Sequence, residues 1–314
     1  MAEYPTAALH RIDLSNPDIH QSAALLKQAC LDSGFFYVTN HGVSEEFMNE
    51  VFAQSKRFFE LPWNEKEKLV KKEKTRGYKK FQQELNPLQA NPNGNYTETY
   101  RIGIELPEDD PNTNIWPSAD ALPGWKETMQ KYYQEALDAS RRVARIIALA
   151  LDVNIDFFDQ PQLFGETVSN LYFLHYGGQV IDASKEVLGA QAHTDFGLIT
   201  LLATTDVLGL QICKDKYARP QIWEYVPPLK GAFIVNIGDM LERFSNCAFR
   251  STVHRVVFRG EDRYSLSFFL YPRLDCVIES LPTFKSEENP PKHPPVTCGE
   301  FLNSQFAKVA KLSF

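Results

Sequence analysis

The sequence lacks the signals that would direct the protein out of the cell or into a membrane. The N-terminal segment MAEYPTAALHRIDL has no basic region followed by an apolar stretch, so it predicts no secretory signal. No apolar run approaches the roughly 18 residues that a membrane span needs. The five cysteines are odd in number and form no CxxC pair, which fits neither a disulfide framework nor a zinc ribbon. We therefore expect reduced thiols in a cytoplasmic protein.

An excess of positive charge is absent as well. The formal net charge is −7, which argues against a nucleic-acid partner, because phosphates favour a basic surface. Apolar residues make up 43% of the 314 residues, enough for a sizeable core. We expect a monomer whose partner is a small-molecule substrate, with no nucleic acid and no membrane bound.

The predicted elements change in type along the chain. Residues 20–33, 45–61 and 124–151 show helical periodicity, and the polar segment 86–96 is typical of a loop. From residue 168 onward short β segments follow one another at close spacing. They are VSNLYFLHY, GLITLLATT, LGLQIC, IWEYV, AFIVNI, STVHRVVF and RYSLSFFLY. This order predicts a mixed α and β fold, mainly antiparallel, in which helices flank a sandwich or jelly-roll core.

A histidine and an aspartate, His193 and Asp195, stand two residues apart in QAHTDFGLIT, just before an apolar run. His254 is the best third ligand, because it lies in a β segment of the same half of the chain. Two imidazoles and one carboxylate suit Fe(II) and leave coordination positions open. The other histidines lie in polar, proline-rich, turn or packed contexts that favour structural roles: His10, His20, His41, His175 and His293.

The residues after His254 predict a binding site for an anion. HRVVF and RYSLSFF flank RGED, which favours a hairpin that pairs Phe258 with Arg263. With an even-length loop, His254, Arg263 and Ser265 would share one face of the sheet. A guanidinium fork and a hydroxyl beside an iron site match 2-oxoglutarate, which chelates the metal at one end and carries a second carboxylate at the other.

With these motifs the chain resembles the iron(II)/2-oxoglutarate-dependent dioxygenase superfamily, in particular its soluble plant- and fungal-type group that includes isopenicillin N synthase. The matching segments are RIDL, LDSGFFYVTNHGV, HTDFGLITLL, GAFIVNIGDMLERFSN, STVHRVV and RYS. The resemblance implies a double-stranded β-helix core that binds iron through His193, Asp195 and His254. We expect an N-terminal region at 1–115 and the catalytic core, with a C-terminal helical segment, at 116–314.

The resemblance also implies residues for the co-substrate and the substrate. Arg263 and Ser265 would bind 2-oxoglutarate, and Tyr176 stands where the family often places a further contact. The family's Asn-Tyr-Tyr-Pro pattern is replaced by LHYGG, so its asparagine is missing. The resemblance further suggests that the substrate pocket is lined by segments that contain five aromatic residues, and core packing explains each of them equally well. They are Tyr100, Phe196, Phe269, Phe301 and Phe306.

The expected function is oxidation of a small organic metabolite, with 2-oxoglutarate and O2 converted to succinate and CO2. Hydroxylation is the first expectation, with desaturation or demethylation as alternatives, and ascorbate is a candidate reductant. Two other readings stay open from the sequence. One is a related iron oxidase that does not use 2-oxoglutarate, and the other is a ligand sensor on the same scaffold.

Overall fold

The computed structural model describes residues 4–70, 76–79, 97–164, 168–177, 187–215 and 218–311, with side chains up to residue 308. The loop predicted at 86–96 lies outside these ranges. The strands are β1 (His10–Asp13), β2 (Phe35–Thr39), β3 (Gly77–Lys79), β4 (Thr97–Gly103), β5 (Ser169–Tyr176), β6 (Val187–His193), β7 (Ile199–Thr204), β8 (Leu210–Asp215), β9 (Ile222–Tyr225), β10 (Ala232–Ile237), β11 (His254–Phe258), β12 (Arg263–Leu270), β13 (Val277–Ile278) and β14 (Val296–Thr297). The helices are α1 (Ile19–Asp32), α2 (Glu45–Phe59), α3 (Trp63–Glu67), α4 (Trp125–Ala150), α5 (Pro161–Phe164), α6 (Asp239–Phe244) and α7 (Cys298–Lys311).

The three long helical patterns are confirmed as α1, α2 and α4. Local chemistry sets where α2 begins. The Ser44 side chain accepts a hydrogen bond from the backbone N–H of Phe47, and Glu45 and Glu46 place negative charge in the first turn. Both features stabilise a helix N-terminus, whose backbone donors have no partners within the helix. Among the described residues, no helix is both long enough and apolar enough to cross a membrane.

Two main sheets carry the fold. The larger has the strand order β1-β2-β10-β7-β12-β5-β4-β3, and the smaller has the order β6-β11-β8-β9. Within these two sheets β1 and β2 pair in parallel, and the other strand pairs are antiparallel. The prediction of a mainly antiparallel α and β fold is therefore confirmed, and each of the seven predicted β segments contains a strand.

The two faces of the larger sheet contribute to two different cores. The outer face packs against the helices, where Trp125 of α4 contacts Tyr100 and Phe173 of the sheet. The inner face turns toward the smaller sheet, and a second apolar cluster joins Phe35 and Tyr176 to Val256 and other residues of that sheet. Residues on alternate positions of one strand therefore have different surroundings, and only the inner face can contribute to a site between the sheets.

The predicted hairpin between β11 and β12 is wrong. Phe258 pairs with Val187 of β6, whereas Arg263 pairs with Tyr176 of β5, so the two strands belong to different sheets. The segment 259–262 crosses from one sheet to the other, and the Arg259 guanidinium lies 4.1 Å from the ring centre of Tyr4. A short polar link between two β segments does not by itself show that they pair.

Strands from the first third of the chain form both ends of the larger sheet. β1 and β2 join it through β10 at one end, and β3 and β4 join it through β5 at the other. The N-terminal strands therefore share a sheet with β12, the strand that carries Arg263 and Ser265. The predicted division between residues 115 and 116 stays a prediction.

The outer core gives a first testable expectation. Phe268 is buried on β12 and lies edge-on to Tyr133 of α4, with ring centres 5.3 Å apart. Phe268→Ala should lower the free energy of unfolding by about 3–5 kcal/mol, because it leaves a cavity between sheet and helix. Leu274→Ala, at a side chain that is 52% exposed, should change it by less than about 0.5 kcal/mol. Denaturant unfolding measures both, and equal effects would contradict the assignment of the core.

Candidate metal centre

His193 and His254 face each other across a strand pair. The two residues are direct partners in the antiparallel pairing of β6 with β11. Side chains opposite each other in such a pair lie on one face of the sheet. Their ring centres are 4.3 Å apart, and the His254 ring also packs edge-on against Phe35 at 5.4 Å. Sheet pairing thus brings together two residues that are far apart in the sequence.

The hydrogen bonds of the two imidazoles leave the same nitrogen of each ring available. His193 Nδ1 lies 2.7 Å from the carbonyl oxygen of Gln191, and His254 Nδ1 lies 3.1 Å from that of Thr252. A carbonyl oxygen only accepts, so each Nδ1 carries the proton and donates it. Each Nε2 then presents a lone pair, which is the form of histidine that binds a metal ion.

Asp195 completes a group of three ligand atoms. Its Oδ1 lies 3.6 Å from His193 Nε2 and 3.8 Å from His254 Nε2. One atom from each of the three residues lies within 4.8 Å of the others, the spacing of a single metal site. The structure brings His193, Asp195 and His254 together as the sequence predicted.

The second oxygen of Asp195 is held by the larger sheet. Oδ2 accepts a 2.6 Å hydrogen bond from the Thr200 hydroxyl on β7 and a 2.7 Å bond from the Asn236 amide on β10. These bonds fix the carboxylate so that Oδ1 points toward the imidazoles. Second-layer partners of this kind orient a metal ligand and tune its affinity. The sequence prediction missed both residues, and the available signal was a polar side chain inside each apolar strand, in ITLLAT and AFIVNI.

A second carboxylate, the partly buried Asp239 at the start of α6, joins the segments that precede Asp195 and His254. It accepts a 2.6 Å hydrogen bond from the Ser251 hydroxyl and a 3.3 Å bond from that of Thr194. Its backbone N–H donates to the carbonyl oxygen of Asp195 at 2.8 Å. The neighbouring Gly238 leaves room for this contact, because a Cβ there would lie 2.9 Å from the same carbonyl.

Charge and burial keep two of the three side chains, His254 and Asp195, in the forms that bind metal ions. Burial, together with the nearby His193, lowers the pKa of His254 from 6.5 to about 4, so its imidazole is neutral at neutral pH. Burial alone would raise the pKa of Asp195, but the two imidazoles and the bonds from Thr200 and Asn236 lower it overall. A neutral histidine beside an ionised carboxylate is ready to bind a cation without first losing a proton.

The side chains of the three candidate ligands differ in their access to solvent. The His193 side chain is 46% exposed, whereas those of His254 and Asp195 are 9% and 6% exposed. His193 therefore marks the open side of the candidate centre, and His254 and Asp195 lie inside the fold.

Arg263 and Ser265 are buried on the inner face of β12. Arg263 is 2% exposed and Ser265 is 1% exposed. Within the described part of the chain, no group accepts a hydrogen bond from Arg263 Nε or Nη1, and Ser265 Oγ has no partner either. Buried donors without partners cost about 1–3 kcal/mol each, and more when they are charged. The donor set therefore fits an anionic ligand that carries oxygen acceptors.

Tyr176 stands beside this arginine. The two residues are partners in the pairing of β5 with β12, and the Arg263 guanidinium lies 4.9 Å from the Tyr176 ring centre. Gly189 of β6 leaves space for the ring, because a Cβ at that position would lie 2.4 Å from the tyrosine. The structure therefore brings Arg263, Ser265 and Tyr176 together, with β12 opposite the strands of the metal ligands rather than paired with them.

The structure places the aromatic residues predicted for the substrate side in different surroundings. Phe269 shares the inner face of β12 with Arg263 and Ser265 and lies 4.8 Å from the ring of Tyr172. Phe196, which follows Asp195 in the sequence, contacts Phe306 of α7 with ring centres 5.8 Å apart. The structure does not bring Tyr100 to the site: it is fully buried on the outer face, among Phe58, Trp125 and Phe173. Phe301 is buried in the same helix-side core.

Two histidines and one carboxylate on a β-scaffold define the ligand class of the non-haem iron oxygenases. The family models agree: the chain matches the non-haem dioxygenase N-terminal family over residues 5–119 and the 2OG-Fe(II) oxygenase superfamily over residues 168–272. The protein belongs to the 2OG-Fe(II) oxygenase superfamily.

Several characterised proteins are similar over almost the whole chain. Kihadalactone A synthase of Citrus sinensis is 54% identical over 98% of this chain and 94% of its own length. Azadirone synthase of Melia azedarach is 50% identical over 96% and 93%. Among solved structures, a full-length Neurospora crassa protein in complex with alpha-KG superposes with a TM-score of 0.82 at 28% identity, covering 98% of this chain and 99% of that one. JOX2 in complex with 2OG, Fe and JA gives 0.80 at 30% identity, covering 97% and 86%.

These similarities decide between the alternatives that the sequence left open. The protein is an enzyme, a 2-oxoglutarate-dependent dioxygenase that uses iron, so the predicted cofactors are confirmed. The oxidase without 2-oxoglutarate and the sensor are set aside. The use of ascorbate as a reductant stays a prediction.

The hydrogen bonds from Thr200 and Asn236 to Asp195 lead to a second testable prediction, on the affinity for Fe(II). Asn236→Ala and Thr200→Val should each weaken Fe(II) binding by about 10- to 100-fold, because each leaves the carboxylate free to turn away. Anaerobic calorimetry with Fe(II) measures the affinity. Asn112→Ala, at an exposed position, is the matched control. Wild-type affinity in both Asp195-directed variants would show that these bonds do not hold the ligand.

Proposed function

We propose that His193, Asp195 and His254 bind Fe(II) and that Arg263, Ser265 and Tyr176 bind the distal carboxylate of 2-oxoglutarate. The observation that carries the proposal is the pairing of three convergent ligand atoms with a buried arginine and serine whose donors have no partners. The antiparallel strand order and the likeness to known oxygenases support a double-stranded β-helix as the scaffold.

Bound iron and 2-oxoglutarate supply the oxidising chemistry, in which O2 and 2-oxoglutarate give succinate, CO2 and an oxidised substrate. The contribution of the protein is binding, orientation and exclusion of water. Arg263 offers a planar set of donors to a carboxylate, and Ser265 adds a hydroxyl on the same face. The apolar cluster around Phe35, Tyr176 and Val256 keeps water from the space between the sheets.

We propose a small organic metabolite as the prime substrate and hydroxylation of a C–H bond as the first reaction. The similarity to kihadalactone A synthase and azadirone synthase supports a substrate of the kind those two enzymes use. Candidate precursors of kihadalactone A and azadirone are therefore the first compounds to test. The expected result is an oxidised product detected by mass spectrometry, with one succinate formed per product. Succinate that does not depend on any such compound would contradict this choice.

The binding of the cofactors can be tested without a substrate. Anaerobic addition of Fe(II) and then 2-oxoglutarate should produce the weak visible charge-transfer band of the chelate. His193→Ala and His254→Ala should abolish the band and turnover, because each removes one of three ligands. His20→Ala, at an exposed histidine, should leave both unchanged. Iron binding that survives both ligand substitutions would overturn the metal assignment.

The co-substrate assignment has its own test. Arg263→Met should raise the 2-oxoglutarate concentration for half-saturation by about 10- to 100-fold, since charged hydrogen bonds contribute about 1.5–3 kcal/mol. The affinity for Fe(II) alone should be unchanged. Arg259→Met removes an arginine four residues earlier that lies over Tyr4 and should have no effect. Unchanged half-saturation in Arg263→Met would show that the distal carboxylate binds elsewhere.

A further inference from the structure

Strand β4 places a second set of polar side chains on the inner face of the larger sheet. The Thr97 hydroxyl donates to the carbonyl oxygen of Gly189 on β6 at 2.8 Å, so its side of the strand faces the smaller sheet. Thr99 and Arg101 follow at alternate positions and share that face. Tyr100 between them points to the helices, as described above.

Thr99 and Arg101 carry donors that the fold does not use. Thr99 is 1% exposed, and its hydroxyl has no hydrogen-bond partner among the described residues. The Nε atom of Arg101 is buried and likewise finds no acceptor in the described ranges. No carboxylate in those ranges forms an ion pair with Arg101. Buried donors of this kind are costly unless a ligand binds to them.

The surroundings of Arg101 are aromatic and lie toward the metal ligands. Its guanidinium lies 4.4 Å from the ring centre of Tyr172, whose ring in turn contacts Phe269. Burial raises the pKa of Tyr271, the Asp195 carboxylate raises it further, and the Arg101 guanidinium lowers it. A Cβ at Gly197, two residues after Asp195, would lie 3.1 Å from the Tyr271 ring, so the phenol near Arg101 also lies against the Asp195 segment.

The strand register places Thr99 and Arg101 apart from the residues proposed to bind 2-oxoglutarate. On β5, Leu174 lies between Thr99 and Ser265, and Tyr172 lies between Arg101 and Ser267. Thr99 and Arg101 are therefore one strand further from β12 than the residues that face Arg263. A ligand that reaches them extends beyond 2-oxoglutarate along the inner face of the sheet.

We propose that Arg101 and Thr99 bind an acceptor oxygen of the prime substrate, while Tyr172 and Phe269 pack against its apolar body. The substrate class is then a largely apolar molecule that carries a carbonyl or carboxylate oxygen. An arginine fork binds either group, and a neighbouring hydroxyl adds a second donor. This inference rests on the proposed function, since it places the substrate in the same space as iron and 2-oxoglutarate.

The test compares three probes that share one naphthyl group and differ in the side group: 1-naphthaleneacetate, its methyl ester and 1-ethylnaphthalene. The protein is loaded with Mn(II) and 2-oxoglutarate, which prevents turnover and makes the metal a paramagnetic label. Relaxation of the naphthyl protons then reports both affinity and closeness to the metal. Wild-type protein should bind the acid or the ester at least about tenfold more tightly than the hydrocarbon. Preference for the acid indicates a carboxylate substrate, and preference for the ester indicates a neutral carbonyl.

Variants assign that preference to the two residues. Arg101→Met should remove it, and Thr99→Val, which keeps the shape of the side chain, should reduce it several-fold. Arg57→Met, an arginine on the exposed side of α2, is the control and should retain it. Calorimetry of the Mn(II)-loaded protein with 2-oxoglutarate, without a probe, should give wild-type affinity in Arg101→Met and Thr99→Val. This result also shows that both variants are folded.

Three outcomes would overturn the inference. Wild-type protein could bind the three probes equally or bind none of them, or the preference could survive in Arg101→Met. Weaker 2-oxoglutarate binding in Arg101→Met, with the probe preference intact, would instead assign this arginine to the co-substrate. Failure of the proposed function is distinct, because then wild-type protein itself would bind no 2-oxoglutarate.

Discussion

The Asp195 carboxylate is the point on which the site depends, because it connects the two sheets. One oxygen is held by Thr200 and Asn236 of the larger sheet, and the other faces the imidazoles of the smaller sheet. Its ionised form is stabilised inside the fold by the hydrogen bonds from Thr200 and Asn236, against the cost of burial. One side chain therefore contacts both sheets and positions its free oxygen toward the two histidines.

The interior between the sheets is apolar but contains polar groups that need a partner. Arg263 and Ser265 on β12, and Thr99 and Arg101 on β4, expose donors to that space rather than to one another. A protein folded for stability alone would fill such a space with aliphatic side chains, since unpaired polar groups weaken it. These unpaired donors lower the stability of the protein without ligand, and a bound ligand that pairs with them raises it again. Such an arrangement is common at functional sites.

The sequence predicted the parts of this structure that local patterns encode. Helical periodicity placed α1, α2 and α4, and the spacing of His193 and Asp195 pointed to a ligand pair. Strand pairing was not predictable in the same way, because a strand such as RYSLSFFL is buried on both faces and its sequence does not specify its partners. The same ambiguity put Tyr100 in the site and left out Arg101, since in TETYRIG only the fold decides which face turns inward.

The placement of the N-terminal strands at both ends of the larger sheet has a consequence for synthesis on the ribosome. β2 pairs with β10 and β4 pairs with β5. Each of these N-terminal strands is therefore synthesised well before the strand with which it pairs. Until residue 237 has left the exit tunnel, the edge of β2 has no β10 to pair with. Unpaired strand edges aggregate readily and long-range pairing is slow. The nascent chain therefore exposes unpaired strand edges during much of its synthesis, and we expect molecular chaperones to bind it in that period.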